Sequence, residues 1–277
     1  MKLQKNIDSK ILAWKIRKDA LNMVHLAHAS HIASVFSCAD IVAVLYADIM
    51  NYDIRNPQWD MRDRFVLSKG HSGAALYAAL AEVGYFNTND LQMYGQNGSS
   101  FSCHVSHRVP GVEVSTGSLG HGMGIACGMA LNAKLRKKEY KTYVVLGDGE
   151  CNEGIVWEAV MLASQNHLSN FTAIVDYNKM QALGFTKDII CMDSMKDMWK
   201  AFGWYVVETD GHSHEKLKAA FLEDNHGKPK VIIAHTIKGK GVSFMENELL
   251  WHYRDPQGEY YKKALAELEK IKPCEMM

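Results

Sequence analysis

Short apolar runs alternate with longer stretches of mixed polarity along this chain. The runs are rich in β-branched residues and lack the period-two alternation of a sheet that has one face in water. Five of them predict buried strands, at 64–68, 143–146, 171–176, 204–208 and 230–234. Two of the intervening stretches predict helices, at 153–167 and 213–223. This alternation predicts an α/β protein with a parallel β-sheet flanked by helices on both faces.

Hydrophobic periodicity predicts that the first half of the chain is mostly helical. Apolar positions predict an amphipathic helix over 8–29, and Ser37 and Thr88 are each expected to cap a later helix. A helix packed closely on its neighbours is predicted by four small residues, Gly124, Ala126, Gly128 and Ala130. Residues 99–122 form a long irregular stretch rich in Ser, Gly and His. Such stretches are unusual inside a domain, so this one is expected to be functional.

Length and charge narrow the class of protein. With 277 residues the chain can bury one large core, and we expect a single domain over 1–277. Lys plus Arg and Asp plus Glu number 31 each, so the chain has no basic field for nucleic acid. An anionic ligand must therefore be held by local groups.

Cysteine usage and the start of the chain bear on its location. The six Cys show neither a zinc-binding spacing nor a disulfide framework, so they are expected to be reduced thiols in the cytoplasm. The start is polar, and no uncharged apolar run approaches the length of about 18 residues that a membrane span needs. The sequence therefore predicts neither a signal peptide nor a membrane partner.

Two of the predicted strands end in residues that suit a divalent cation carrying a diphosphate. Gly147-Asp148-Gly149 follows the second predicted strand and Asn178 follows the third. The thirty residues from Asp148 to Asn178 are about one crossover through a helix, which places both side chains at one sheet edge. Mg²⁺ prefers about six oxygen ligands and keeps phosphate oxygens among them. Asp148, Asn178 and the main-chain carbonyl of Met180 are the predicted ligands of Mg²⁺, or of Ca²⁺ or Mn²⁺ in its place.

Other phosphate-binding motifs fit this segment less well. A dinucleotide-binding turn would need Gly at position 152, where the chain has Asn152, and no Lys and hydroxyl pair follows as in a nucleotide P-loop. A GDG followed about thirty residues later by Asn instead resembles the fingerprint of thiamine diphosphate enzymes, and GDGECNEG resembles its transketolase form. The resemblance implies the thiamine-diphosphate-binding fold and, as cofactors, thiamine diphosphate with Mg²⁺. It also implies transfer of a two-carbon ketol unit from a ketose to an aldose.

Further segments resemble transketolase motifs, at 20–46, 63–80, 100–107, 110–130 and 235–254. By this resemblance His31, His104 and His252 contact the sugar and are catalytic. Glu153 is also implied in catalysis, through a network that reaches a second active site in a dimer. The residues implied in cofactor binding are His71, Gly117, Ser118, Leu119, Gly147, Asp148, Gly149, Glu150, Asn178, Met180, Lys238 and His252.

The chain departs from these motifs near two of the histidines. The family's Gly-His-Pro is here Cys103-His104-Val105, with His107 as a further candidate nearby. Tyr253 replaces the Gly that commonly follows the last histidine. These differences are compatible with a specialised sugar pathway.

The resemblance covers most of the chain but only the first third to half of a full-length transketolase. In that family the following domain supplies the Glu that activates the cofactor and the aromatic pocket for its ring. A split enzyme is therefore implied, in which a C-terminal subunit carries the pyrimidine-binding domain and two copies of each chain form a heterotetramer. Its substrates would be sugars or sugar phosphates.

Three alternatives stay open from the sequence. One is the α-type chain of a 2-oxoacid decarboxylase or dehydrogenase, which also uses thiamine diphosphate. Another is a non-catalytic subunit that binds the cofactor, although such a chain has no need of sugar-facing histidines. The third is a nicotinamide-dependent dehydrogenase, which Asn152 disfavours.

Overall fold

The computed structural model describes residues 7–274, and a parallel sheet of five strands forms its centre. The strands are β1 (Arg64–Leu67), β2 (Thr142–Gly147), β3 (Phe171–Tyr177), β4 (Tyr205–Asp210) and β5 (Lys230–His235). Their order across the sheet is β1-β2-β3-β5-β4, and every neighbouring pair is parallel. The predicted sheet is confirmed, with each strand within two residues of its predicted bounds.

Helices cover both faces of this sheet. They are α1 (Ser9–Ala27), α2 (Ile32–Val44), α3 (Gly73–Val83), α4 (His121–Leu135), α5 (Gly154–Gln165), α6 (Thr186–Ile189), α7 (Met195–Ala201), α8 (His214–Leu222) and α9 (Glu259–Lys270). The core on one face includes α1, α2, α3, α8 and α9, whereas the core on the other includes α4, α5 and α7. The predicted α/β architecture with two helical layers is therefore confirmed.

The central strands bury alternate side chains on opposite faces of the sheet. In β2, Tyr143 and Val145 join the core beneath α1 to α3, whereas Val144 and Leu146 join the core beneath α4 and α5. Both faces exclude water, so every position along such a strand is apolar. This is why the strands are visible in the sequence as continuous apolar runs.

The second helix begins earlier than predicted. Ser37 is no cap but lies inside α2, where its hydroxyl donates to the Asp176 carboxylate at 2.5 Å. The residue before the helix is His31, whose side chain makes no capping bond. Thr88 begins a 3-10 turn, and the cap is the preceding Asn87, whose side chain accepts from the main chain. Both predicted caps are wrong: the Ser37 hydroxyl bonds to a side chain distant in sequence, and the cap before Thr88 lies one residue earlier.

One stretch of the chain, Ile32–Ile49, is long and apolar enough to cross a membrane by length and composition alone. It comprises α2 and a π-helical turn, Leu45–Ile49, and 83% of it is buried within the fold. The stretch also contains Asp40, whose carboxylate has buried partners. It is therefore the central helix of the core on its side of the sheet.

Only part of α4 is packed against the sheet. Ala126 and Ala130 are buried as predicted, but a Cβ atom added at Gly124 or Gly128 would meet nothing within 4 Å. The prediction of close packing is therefore wrong for the glycine side of this helix.

Candidate active site

The loops that follow four of the strands surround a cavity of about 320 Å³. These loops follow β1, β2, β3 and β5, at the carboxyl edge where open parallel sheets bind ligands. The lining residues are His31, Ser34, Lys69, His71, His104, Gly117, Leu119, Gly147, Asp148, Gly149, Glu150, Asn178, Met180, Gln181, Ala182, Lys238, His252 and Tyr253. The cavity therefore gathers nearly all the site residues that the sequence predicted.

Asp148 and Asn178 lie together because they follow adjacent strands. The Gly149 N–H donates to one Asp148 carboxylate oxygen at 2.7 Å, and the Lys179 N–H donates to the other. The Asn178 amide oxygen accepts from the Met180 N–H at 3.1 Å. The site thus offers a carboxylate, an amide oxygen and a main-chain carbonyl, which are the ligand types that a hard divalent cation prefers.

The buried Asp148 carboxylate fits a role in cation binding. It is 2% exposed, and burial, together with the neighbouring Asp176 carboxylate, raises its pKa to about 7. A bound divalent cation would compensate such a desolvated charge. Among residues 7–274, no group of three or more His, Cys, Asp or Glu is placed to hold a metal ion. The set predicted here contains only one such side chain, because its other ligands are an amide and a carbonyl.

Next to Asp148, Lys69 and Asp176 form an ion pair whose side chains are 2% and 0% exposed. The ammonium and the carboxylate are 2.5 Å apart, and Asp176 also accepts from the hydroxyls of Ser37 and Thr236. Burial opposes ionisation of both groups. Their mutual attraction nevertheless raises the pKa of Lys69 and lowers that of Asp176. The pair ties the loop after β1 to the end of β3.

Glu150 joins three loops of the site through one carboxylate. It accepts from the Gly120 N–H at 2.8 Å, from the Gly147 N–H at 3.0 Å and from the Ser68 hydroxyl. Burial raises the pKa of Glu150, although all three hydrogen bonds favour the ionised form. Glu150 therefore holds the turn that carries Asp148 against the loop before α4.

Four histidine rings come together in the cavity. The ring centroid of His31 lies 5.1 Å from that of His71, 5.9 Å from that of His104 and 5.0 Å from that of His252. The rings of His71 and His252 are 5.8 Å apart. The four residues come from four separate segments of the chain, and the fold brings them to one cavity.

Burial keeps three of these imidazoles neutral. It is the main cause that lowers the pKa of His31 to about 4 and that of His252 to about 3, with nearby positive groups adding to the effect. The pKa of His71 lies well below its usual value for the same reason. A neutral imidazole has one donor and one acceptor nitrogen, so it can both hold a hydroxyl and move a proton.

Lys238 fixes the tautomer of His252. Its ammonium lies 2.9 Å from His252 Nδ1 and 3.2 Å from the main-chain oxygen of Met180. A charged lysine can only donate, so Nδ1 accepts and the ring hydrogen is on Nε2. Burial and the charge of Lys69 lower the pKa of Lys238 to about 8. Lys238 thus links a predicted cation ligand to a predicted sugar contact.

The backbone of His31 is held in the left-handed region, with φ 74° and ψ 13°. Residues other than glycine rarely adopt this conformation, which persists where the surrounding structure enforces it. The His31 N–H donates to the main-chain oxygen of His252 at 2.9 Å. His31 and His252 are therefore held together by a main-chain hydrogen bond as well as by the contact between their rings.

Two glycines seat the loop after β1 on the irregular stretch at 99–122. A Cβ added at Gly70 would lie 2.5 Å from the main-chain carbon of Thr116, and one at Gly73 would lie 3.1 Å from the Val105 nitrogen. The Val105 N–H donates to the Gly70 carbonyl at 3.1 Å. The irregular stretch therefore forms one wall of the cavity, in contact with the loop that carries a site histidine.

Three residues that the sequence analysis named lie outside the lining. Ser118 is exposed between two lining residues, and Glu153 is exposed at the start of α5. His107 is exposed and bonds to the Ser115 hydroxyl. From these positions Ser118 and Glu153 can meet a cofactor or a second active site only at the surface of this chain.

Five lining residues were not selected from the sequence, namely Ser34, Lys69, Gln181, Ala182 and Tyr253. Lys69 could have been recognised as a charged residue directly between an apolar strand and an Ala-rich helix. Tyr253 was noted only as a departure from the family pattern. Gln181 donates to Asn152 at 2.8 Å, a contact that no local sequence pattern indicates.

Comparisons with known proteins show the family of this chain. Residues 8–255 match the family described as transketolase, thiamine diphosphate binding domain. The chain is 42% identical over 264 residues to an apulose-4-phosphate transketolase subunit from Phocaeicola vulgatus, covering 94% of each chain. It is 41% identical over 270 residues to a 6-deoxy-6-sulfo-D-fructose transketolase subunit of a Clostridium species, covering 96% of this chain and 98% of the relative.

Solved transketolases have the same fold over this region. The enzyme of Campylobacter jejuni aligns with a TM-score of 0.89 at 30% identity, covering 96% of this chain and 43% of that one. The enzyme of Leishmania mexicana aligns with a TM-score of 0.83 at 30% identity, covering 96% and 45%. The chain thus spans less than half the length of these solved enzymes. It belongs to the transketolase family, where it corresponds to the thiamine diphosphate binding domain.

Proposed function

We propose that this chain is one subunit of a two-chain transketolase, which transfers a two-carbon ketol unit from a ketose to an aldose. The observation that carries the proposal is the convergence of the Asp148 and Asn178 oxygens, Lys238 and four histidines on one cavity. Two relatives that match over almost their whole length are named as transketolase subunits, which supports it.

Asp148, Asn178 and the Met180 carbonyl would hold Mg²⁺, or Ca²⁺ or Mn²⁺ in its place. Lys238 and His71 would contact the diphosphate, which the glycines beside Asp148 leave room to approach. When bound, thiamine diphosphate supplies a nucleophilic carbon for the ketose carbonyl and an electron sink for the bond that breaks. The protein's own task is to orient this group and the sugar.

The histidines His31, His104 and His252 would position sugar hydroxyls and move protons. His31 and His252 are neutral, and His252 presents its Nε2–H because Nδ1 accepts from Lys238. An imidazole with a free donor suits a sugar hydroxyl or a carbonyl oxygen on which negative charge develops.

We expect the histidines to separate into two classes when replaced. His31→Ala and His104→Ala should retain thiamine diphosphate binding but lose ketol transfer by about a hundredfold or more. His71→Ala should weaken cofactor binding first. Calorimetric titration and steady-state assays of the complex measure the two effects, with His226→Ala, at an exposed histidine, as the control. Loss of cofactor affinity alone in all three variants would contradict the division.

The proposed partner is a C-terminal subunit with the pyrimidine-binding domain and the Glu that activates the cofactor. Residues 1–277 would then form a single diphosphate-binding domain, and two copies of each chain would form a cytoplasmic heterotetramer. The exposed positions of Ser118 and Glu153 support this arrangement, because both lie where a second chain can reach them.

Purified alone, the chain is expected to bind thiamine diphosphate weakly and to show no ketol transfer. Addition of the partner should restore turnover and tighten cofactor binding together, because a cofactor held between two chains stabilises their association. The assay uses a panel of donors, with xylulose 5-phosphate, apulose 4-phosphate and 6-deoxy-6-sulfofructose, and a pentose acceptor. Robust turnover by the lone chain would contradict the two-chain proposal.

The same assay, with 2-oxo acids added as donors, decides between ketol transfer and two of the alternatives. Turnover of 2-oxo acids, but of no ketose, would assign the chain to the oxoacid decarboxylase or dehydrogenase type. Cofactor binding without turnover of either class, in the presence of the partner, would indicate a non-catalytic subunit.

A further inference from the structure

The main chain on either side of Lys238 is anchored by residues that do not line the cavity. The Ile237 N–H donates to His212 Nε2 at 2.8 Å. Three residues later, the Lys240 carbonyl accepts from Arg17 Nε at 3.0 Å. The peptide before Lys238 and the carbonyl beyond it are therefore held by two buried or half-buried polar side chains.

The contact with Ile237 defines the tautomer of His212. A backbone N–H can only donate, so His212 Nε2 accepts and the ring hydrogen is on Nδ1. Nδ1 lies 2.7 Å from a carboxylate oxygen of Asp40, to which it donates. A carboxylate that holds one imidazole nitrogen and leaves the other as an acceptor fixes both the tautomer and the orientation of the ring.

Asp40 is itself fixed within the core. Arg17 donates to its two oxygens at 3.0 and 2.6 Å, and the Arg17 and Asp40 side chains are 6% and 8% exposed. His214 Nε2 lies 3.1 Å from the same carboxylate. Burial alone would raise the pKa of Asp40, but the Arg17 guanidinium and the two histidines hold it well below its usual value. His212 therefore donates to a carboxylate that is ionised and held in place by Arg17 and His214.

The turn that carries His212 is pressed against the segment that it anchors. The Gly211 N–H donates to the His235 carbonyl at 2.8 Å. A Cβ added at Gly211 would lie 2.4 Å from Thr236 Cγ2, so only glycine permits this approach. The distance between the turn and the segment is thus set by contact as well as by hydrogen bonds.

We propose that His212, oriented by Asp40, is a positioning residue for Lys238. It anchors the peptide N–H immediately before Lys238, so that the buried ammonium reaches the Met180 carbonyl and His252 at the same time. His212 lies outside the cavity lining and acts through Lys238. The functional importance of Lys238 rests on the proposed function, whereas the anchoring does not.

Two variants separate the hydrogen bonds of His212. His212→Gln keeps an acceptor near the position of Nε2, whereas His212→Asn keeps a donor near Nδ1 and loses that acceptor. In hydrogen exchange of the full chain without cofactor, amide protection over 236–241 should fall in His212→Asn and persist in His212→Gln. Wild-type protection in His212→Asn would overturn the proposal.

A double-mutant cycle tests the route through Lys238. In titrations of thiamine diphosphate with Mg²⁺, His212→Asn should weaken binding about tenfold, as loss of a residue that supports a ligand does. In a Lys238→Met background the same change should weaken it by no more than about twofold, since coupled residues are non-additive. An equal loss in both backgrounds would show that His212 does not act through Lys238.

The tautomer of His212 in the wild-type chain provides a further test. Nitrogen-15 NMR of histidine-labelled protein should show His212 in the Nδ1–H form, with its signals identified by their absence in either variant. The Nε2–H form would overturn the proposal. If the complex with the partner failed to bind thiamine diphosphate, the proposed function would fail, but the exchange and tautomer results would still decide the anchoring.

Discussion

Replacing Asp148 by alanine is expected to weaken Mg²⁺-dependent binding of thiamine diphosphate by about a hundredfold or more. Asp148 is the one carboxylate in the predicted ligand set, and loss of a residue that merely supports a metal ligand already weakens binding by about 10- to 100-fold. Asn178→Ala should act in the same direction with a smaller loss, because its amide oxygen carries no net charge.

Calorimetric titration at saturating Mg²⁺, repeated with a chelator, measures this effect. Asp197→Ala, at an exposed position on α7, is the matched control and should bind like the wild type. The melting temperature of Asp148→Ala should change little, because relief of the buried charge offsets the loss of the two main-chain hydrogen bonds to this carboxylate. Wild-type affinity in both Asp148→Ala and Asn178→Ala would remove the basis for the cation site.

The second large effect is on stability: Lys69→Met is expected to reduce the free energy of unfolding by about 3–5 kcal/mol. The change leaves the Asp176 carboxylate buried without its cation. The hydroxyls of Ser37 and Thr236 still donate to it, but neither neutralises the charge. Urea unfolding followed by circular dichroism gives the difference.

Two further variants test whether the loss of stability in Lys69→Met comes from the uncompensated charge of Asp176. Lys69→Met combined with Asp176→Asn removes both charges and should be more stable than Lys69→Met alone. Lys218→Met breaks an ion pair with Asp48 whose side chains are 48% and 25% exposed, and should change stability by less than about 1 kcal/mol. A loss for Lys69→Met as small as that for Lys218→Met would refute this account of the buried pair.

The sheet could be predicted because strands buried on both faces are apolar at every position. In β2, each residue from Tyr143 to Leu146 joins one core or the other, so the run is unbroken. Helix starts were harder, because a serine that caps a helix and one that bonds inside it look alike. Ser37 belongs to the second kind, and its partner Asp176 is far away in sequence.

The site could be predicted where one residue type is required at one place in the chain. Asp148 and Asn178 were found because each follows a strand, and the histidines because their segments resemble known motifs. Contacts that bring several segments of the chain together could not be predicted, since each depends on the folded arrangement of all of them. Glu150 accepts from donors in three separate segments, and His212 meets Asp40 and Ile237 only in the folded chain.

The contact of Gly70 with the backbone of Thr116 also limits how this enzyme could be redesigned for a new sugar. Directed-evolution libraries commonly randomise residues near a substrate, and the segments around Gly70 and Thr116 would be obvious targets. Any side chain at Gly70 would separate the two segments and disturb cofactor and sugar positions together. Libraries that keep Gly70 and Gly73 and vary Tyr253, an exposed lining residue, should contain a larger fraction of active variants than libraries that vary the glycines.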